Sequence, residues 1–354
     1  MVDTLKISVE RVLTSRLPQI DFKNLPFGKV FTDHMFMADY RDGEWKNSRI
    51  VPYGSMTVSP ATPAIHYGQS IFEGLKAVKN TANEALIFRP IDNWKRLNQS
   101  AERMCMPYVP EEIFMEGMSA LIHLERDWIP TLEGSSLYIR PFLFSADEYL
   151  GIRPSSDFTF MIITSPTGPY YSEPVKVKIE THYTRAVAGG TGYAKAGGNY
   201  GGSNYPAKLA QDQGYHQLIW TDGREHQYIE ESGTMNVMFV IGDTLVTPSL
   251  SDSILPGITR ASVLQLAQSW GMKTEERKIS VNELAEGLQN GKVKEAFGVG
   301  TAATIAQIEL IGFDGKDYTL PSADKRIVAK RIFNELDLLK RGAAPDPFGW
   351  VVKM

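Results

Sequence analysis

The chain has 354 residues, 43% of them hydrophobic and 22% charged, with a net charge of −4. That length exceeds one ordinary hydrophobic core and points to two domains, and a mildly acidic chain without a basic run argues against nucleic acid or an anionic membrane as its main partner. No stretch of 18 apolar residues occurs, the start MVDTLKISVERVL lacks a signal-peptide core, and the single Cys105 allows no internal disulfide, so a cytoplasmic location is expected.

In chain order, the first 60 residues are irregular and broken by prolines. Phe31 to Tyr40 reads as a strand running into the turn Arg41-Asp42-Gly43, and ALIF before Arg89-Pro90 as another. Trp94, Leu97, Ala101 and Met104 share one face of a helix stopped by Pro107. Phe114, Met118, Leu121 and Trp128 form a second such face, closed by Pro130. Cys105, between Met104 and Met106, is expected as a packed core thiol. Strands follow at 136–144 and 157–165, flanking the loop EYLGIR at 148–153. PTGPYYSEP at 166–174 is the best linker in the chain.

The second half opens with Val175, Val177 and Ile179 alternating with lysines, a half-buried strand. Strands are expected at HQLIW, around Thr234–Ile241, at Leu245–Thr247 and at VKEAFGVG. A helix opens at Pro256-Gly257 and is capped by Gly271; Ser280 and Glu283 form a capping box for the next. A terminal helix turns Val328, Ile332, Leu336 and Leu339 inward. The six histidines have no metal-ligand spacing, and no metal is expected.

The most informative stretch is GGTGYAKAGGNYGGSNY at 189–205, one lysine among seven glycines. A phosphate loop needs Gly-Lys-Ser/Thr, but Lys195 lies between Ala194 and Ala196. The dinucleotide pattern fails too, with Lys195 where a third glycine belongs. A nucleophilic amine remains open, against a flexible loop with a solvated lysine. Downstream come ESGTMN at 231–236, LPGITR at 255–260 and GTA at 300–302. A helix starting after Gly257 aims the N–H groups of Ile258 and Thr259 outward, an arrangement suited to phosphate.

These motifs in this order, together with FGKVFTDHM at 27–35, HYGQSIFEGLKA at 66–77 and FRPIDNWKRLNQSAERMCMP at 88–107, closely resemble the branched-chain amino-acid aminotransferases of the class IV pyridoxal-phosphate fold. The resemblance runs from about Phe27 to the carboxyl end. It implies an α+β fold: a smaller α/β N-terminal domain (1–168), a linker (169–176) and a larger cofactor-binding C-terminal domain (177–354) with a pseudo-barrel of strands flanked by helices. It implies reversible transfer of the amino group of L-leucine, L-isoleucine or L-valine to 2-oxoglutarate, with pyridoxal 5'-phosphate carried on Lys195.

Residue by residue, the resemblance makes Lys195 the catalytic amine and Glu231 the partner of the pyridine nitrogen. Tyr200 matches the donor to the phenolic oxygen, and Arg96, Gly257, Ile258, Thr259 and Thr301 match the phosphate site. Tyr67, Thr234 and Ala302 match positions near the substrate α-carboxylate, and Phe27, Phe72, Tyr138, Tyr170 and Met235 an apolar wall. Leu150 and Ile152 match a loop that completes the neighbouring active site of a homodimer. Arg140, two residues from Tyr138 on a strand and so on the same face, is a candidate for the γ-carboxylate of glutamate, directly or through a hydroxyl such as that of Tyr67. Glu230 lies outside the E-x-G-x-x-N spacing and is read as solvated. Ala303-Thr304-Ile305-Ala306 replaces the Cys-x-x-Cys of mammalian relatives, so no thiol switch is expected there. The alternatives are a D-amino-acid aminotransferase or an aminodeoxychorismate lyase, which a substrate panel separates, or a non-catalytic binding protein on the same fold, against which the Lys195–Glu231 pair argues.

Overall fold

The computed structural model describes residues 5–169 and 173–354. They group into two compact units. The first holds the chain through 169 together with Ala194–Gly198 and Leu338–Met354, and the second holds 173–193 and Asn199–Asp337. The reading of one boundary at 169–176 had assigned both late segments of the first unit to the second. Pairing explains their membership: Val351–Lys353 is hydrogen-bonded along Ala85–Phe88, and Ala196 bridges to Ile71.

The first unit is built on a nine-stranded sheet centred on the long hairpin Ser136–Ser145 and Phe158–Thr167. The helices Pro90–Arg103 and Glu111–Leu124 supply the two apolar stripes, with Leu97, Ala101, Phe114, Met118 and Leu121 fully buried. Ala194 and Ala196, flanking the lysine, belong to the same core.

Cys105 is exposed, contrary to expectation, with φ 52°. It follows the helix end: the Cys105 N–H donates to Glu102 O and the Met106 N–H to Ala101 O. That is a Schellman arrangement, whose left-handed residue swings out while Met106 turns in.

In the second unit six strands close on themselves in the order Ile229–Ser232, Gln217–Thr221, Val175–Ile179, Thr304–Phe313, Val293–Gly300, Met235–Ile241, with the last pairing back to the first. Val177, Ile219, Val237, Phe239 and Ile308 of these strands belong to one buried hydrophobic cluster. The helix Ile258–Ser269 ends at Gly271 with φ 73°, and the Glu283 N–H donates to Ser280 Oγ (3.0 Å), as the capping signals predict. Among the described residues no helix is long and apolar enough to cross a membrane.

Candidate active site

The ESGTMN motif is a β-hairpin, and its spacing is a register. Glu231 faces Asn236 and Ser232 faces Met235 across the pair, leaving Gly233 and Thr234 as a two-residue turn. Gly233 has φ 58°, the first position of a type II′ turn, and a Cβ there would collide with the Gln217 side chain. Thr234, expected inside a strand, therefore stands exposed at the tip.

Glu231 is 3% exposed and held by donors. The Leu255 N–H donates to Oε1 (2.8 Å) and Asn236 Nδ2 to the same oxygen (3.3 Å). Arg185 Nε lies 2.8 Å from Oε2 as an ion pair, outside hydrogen-bond geometry. Asn236 Nδ2 also donates to Leu255 O (2.9 Å), which ties the glutamate to the segment leading into the helix Ile258–Ser269. Gly257, the residue before that helix, passes so close that a Cβ would collide with Asn236 Oδ1. Among the described residues no side chain caps this helix start.

The GTA motif is the turn between Val293–Gly300 and Thr304–Phe313, and Asn236 pairs with Val299 beside it. Met235 packs on the same stretch: a Cβ on Gly300 would lie 3.2 Å from its Cγ. The second unit thus gathers Glu231, Met235, Gly257, Ile258, Thr259, Thr301 and Ala302 around one hairpin. Tyr200 lies in the short helix Gly197–Gly201.

In the first unit the Lys195 backbone is pinned on both sides. Its N–H donates to Ser100 Oγ (2.9 Å), on the helix that carries Arg96, and its carbonyl accepts the Phe72 N–H (3.1 Å). Lys195 Nζ stands 4.8 Å from the Phe72 ring centre. The Arg140 guanidinium lies over the same ring at 4.6 Å, and its Nη2 donates to Tyr138 Oη (3.1 Å). Phe27 meets Tyr138 edge-on at 5.1 Å. Phe27, Phe72, Tyr138, Arg140 and Lys195 therefore form one cluster. Arg96 donates from Nε and Nη2 to the two oxygens of Glu73, at 2.7 and 2.8 Å. Tyr67 is exposed and donates to the Leu150 carbonyl; Tyr138, and not Tyr67, is the hydroxyl beside Arg140. Tyr170 lies outside the described residues.

The class IV amino-transferase family model matches residues 60–311. Branched-chain-amino-acid aminotransferase 2 of Bacillus subtilis is 43% identical over 98% of this chain and 97% of its own length.

The chain belongs to the class IV aminotransferases, among the branched-chain-amino-acid aminotransferases.

A probable branched-chain-amino-acid aminotransferase of Staphylococcus aureus is 42% identical over 99% of both chains. Of solved structures, the Escherichia coli branched-chain amino acid aminotransferase superposes with a TM-score of 0.73 at 28% identity, covering 90% of this chain and 98% of that one. The branched-chain aminotransferase of the archaeon Thermoproteus uzoniensis with norvaline gives 0.73 at 26% identity, covering 90% and 99%.

In this aminotransferase a further departure from the sequence reading lies beside Glu231. Glu230 is not solvated: it is 8% exposed and accepts a hydrogen bond from Ser253 Oγ. All four residues of its strand Ile229–Ser232 are buried. Burial pushes its carboxyl above the usual range, against the opposing pull of Ser253 and Arg185. Sequence reasoning missed Arg185, Glu73 and Ser100. Glu73 sits inside the FEG of a quoted motif, but nothing local links it to Arg96, 23 residues on.

Proposed function

We propose that this aminotransferase moves the amino group of L-leucine, L-isoleucine or L-valine to 2-oxoglutarate, using pyridoxal 5'-phosphate carried on Lys195. The observation that carries this reading is the Glu231–Asn236 register, which surrounds one buried carboxylate with a guanidinium, an amide and a backbone N–H.

The residues fit the cofactor. A carboxylate held ionised by two donors and an arginine suits a cationic ring nitrogen, and the helix start after Gly257 suits a phosphate. Arg96 and Thr301 would add phosphate donors, and Tyr200 a hydroxyl for the phenolic oxygen. Bound there, the group supplies an aldehyde for the amino group and a ring that withdraws electrons from the substrate Cα. Lys195 Nζ would move the proton between that Cα and the cofactor's C4′, and its pinned backbone limits where the amine reaches. Glu231 keeps its partner nitrogen protonated.

On the substrate side, Phe27, Phe72 and Tyr138 suit the wall for a branched side chain, to which the resemblance also assigns Met235. Tyr67, Thr234 and Ala302 hold the α-carboxylate. Arg140 meets the γ-carboxylate of glutamate; in support, its Nε is buried without a hydrogen-bond partner among the described residues. Leu150 and Ile152, 61% and 90% exposed, suit a loop that a second copy of this chain covers in a homodimer. The enzyme works in the cytoplasm. The test is a panel of leucine, isoleucine and valine with 2-oxoglutarate beside D-alanine and aminodeoxychorismate. Turnover of the three branched substrates alone is expected, and preference for either other substrate overturns the reading.

A further inference from the structure

Residues 230 and 231 are adjacent glutamates on one strand, so their side chains leave on opposite faces. Glu231 has been accounted for. Glu230 lines a separate cavity of about 540 Å³ contained within the second unit. That volume suits a small organic molecule and is far larger than an ion needs. Its lining includes the almost fully buried Ile229, Pro248 and Ile254 and the exposed Val187, Ala188 and Lys278.

The polar side is under-compensated. Glu230 Oε1 accepts from Ser253 Oγ, while Oε2 is buried without a hydrogen-bond partner among the described residues. Arg185 is the nearby guanidinium, and its Nε is committed to Glu231 at 2.8 Å. Two carboxylates thus share one arginine, with Asp222 adding to the negative side. The opposite charges on the cavity wall, Lys278 and Arg224, are exposed, and Lys278 Nζ lies 4.8 Å over the Tyr228 ring. A ligand amine at Glu230 would offer its carboxylate a charged hydrogen bond in exchange for, or beside, that from Ser253.

We propose that this cavity is a second ligand site, which takes a small protonated alkylamine: its N–H meets Glu230 and its short branched body lies against Ile229, Pro248 and Ile254. A buried carboxylate short of a donor gains most from a charged hydrogen bond, and the apolar walls favour a hydrocarbon body over a hydrated ion.

The test is calorimetric titration of the cofactor-loaded enzyme with N,N-dimethylisobutylamine hydrochloride at neutral pH. A tertiary amine cannot condense with an aldehyde, so the signal does not come from the cofactor. Saturable one-to-one binding is expected, weakened at least about ten-fold in Glu230→Gln, where the charge is lost. Val187→Trp, which adds bulk to the lining and leaves Glu230 in place, is expected to weaken it as much. The neutral 3-methylbutan-1-ol is expected to bind at least about ten-fold more weakly than the amine. No saturable binding, full affinity in Val187→Trp or in a folded Glu230→Gln, or equal affinity of the alcohol overturns the proposal.

Discussion

In the first unit Arg96 engages both oxygens of Glu73, with side chains 7% and 0% exposed; in the second, Glu231 takes Leu255 and Asn236 on one oxygen and Arg185 on the other, with the Arg185 and Glu231 side chains 8% and 4% exposed. Both pairs join a guanidinium to a buried carboxylate, but the roles are exchanged. Glu73 is the anchor that orients an arginine. Arg185 is the charge partner of a glutamate that Leu255 and Asn236 orient by hydrogen bonds. A buried ion pair by itself thus does not say which member does the chemistry; the distribution of further donors does.

The largest expected effect comes from removing the amine of Lys195. Lys195→Ala is expected to lower leucine/2-oxoglutarate turnover by about three orders of magnitude or more while the protein stays folded. Retention of a tenth of the activity by initial rates would show that another group does the work.

Exchanging the two carboxylates for amides sharpens the comparison. Glu231→Gln is expected to slow turnover by about 10²- to 10⁴-fold, because the amide loses the charge, and to cost some stability as well, because Arg185 stays buried without its charge partner. Glu73→Gln is expected to cost about 3–5 kcal/mol of stability by denaturant titration, because it leaves Arg96 charged and buried. If Glu73→Gln harms only turnover and Glu231→Gln only stability, the roles have been reversed.

The same contrast explains what was legible in the sequence. The second unit's site is assembled from residues close along the chain: a hairpin at 231–236, a segment at 255 and the helix after Gly257. Its spacing reflects two-residue turn geometry, so the motif could be read directly. The first unit's cluster joins Phe27, Phe72, Tyr138, Arg140 and Lys195 from segments far apart along the chain, which no local pattern encodes. Only the family resemblance suggested most of it, and Glu73 and Ser100 were missed. Glu230 was misread for a related reason: strand alternation says that it faces away from Glu231, but not that a covering segment buries that side too.

A smaller effect concerns the aromatic cluster. Arg140→Met is expected to weaken the glutamate half-reaction by about 2–5 kcal/mol relative to the leucine half-reaction in single-turnover measurements. Equal losses would make Arg140 a support for Tyr138 and Phe72 only.

The smallest effect is electrostatic. Because the folded carboxyl of Glu230 titrates above its unfolded value, the native state holds the extra proton between the two values, and stability falls as pH rises through that window. Glu230→Gln removes this penalty. Its melting temperature is expected to exceed wild type by about 1–2 °C at alkaline pH, with the gain vanishing below the unfolded carboxyl value. A lower midpoint at alkaline pH would mean that the charge on Glu230 stabilises the fold.

The central claim is that Lys195 carries the cofactor while Glu231 tunes it. Borohydride reduction of the cofactor-loaded enzyme, followed by peptide mass mapping, tests this most directly. The account expects the pyridoxyl label on Lys195 in both wild type and Glu231→Gln, and none at that peptide in Lys195→Ala. A label on a different lysine of the wild-type enzyme, or no covalent label at all, would contradict it.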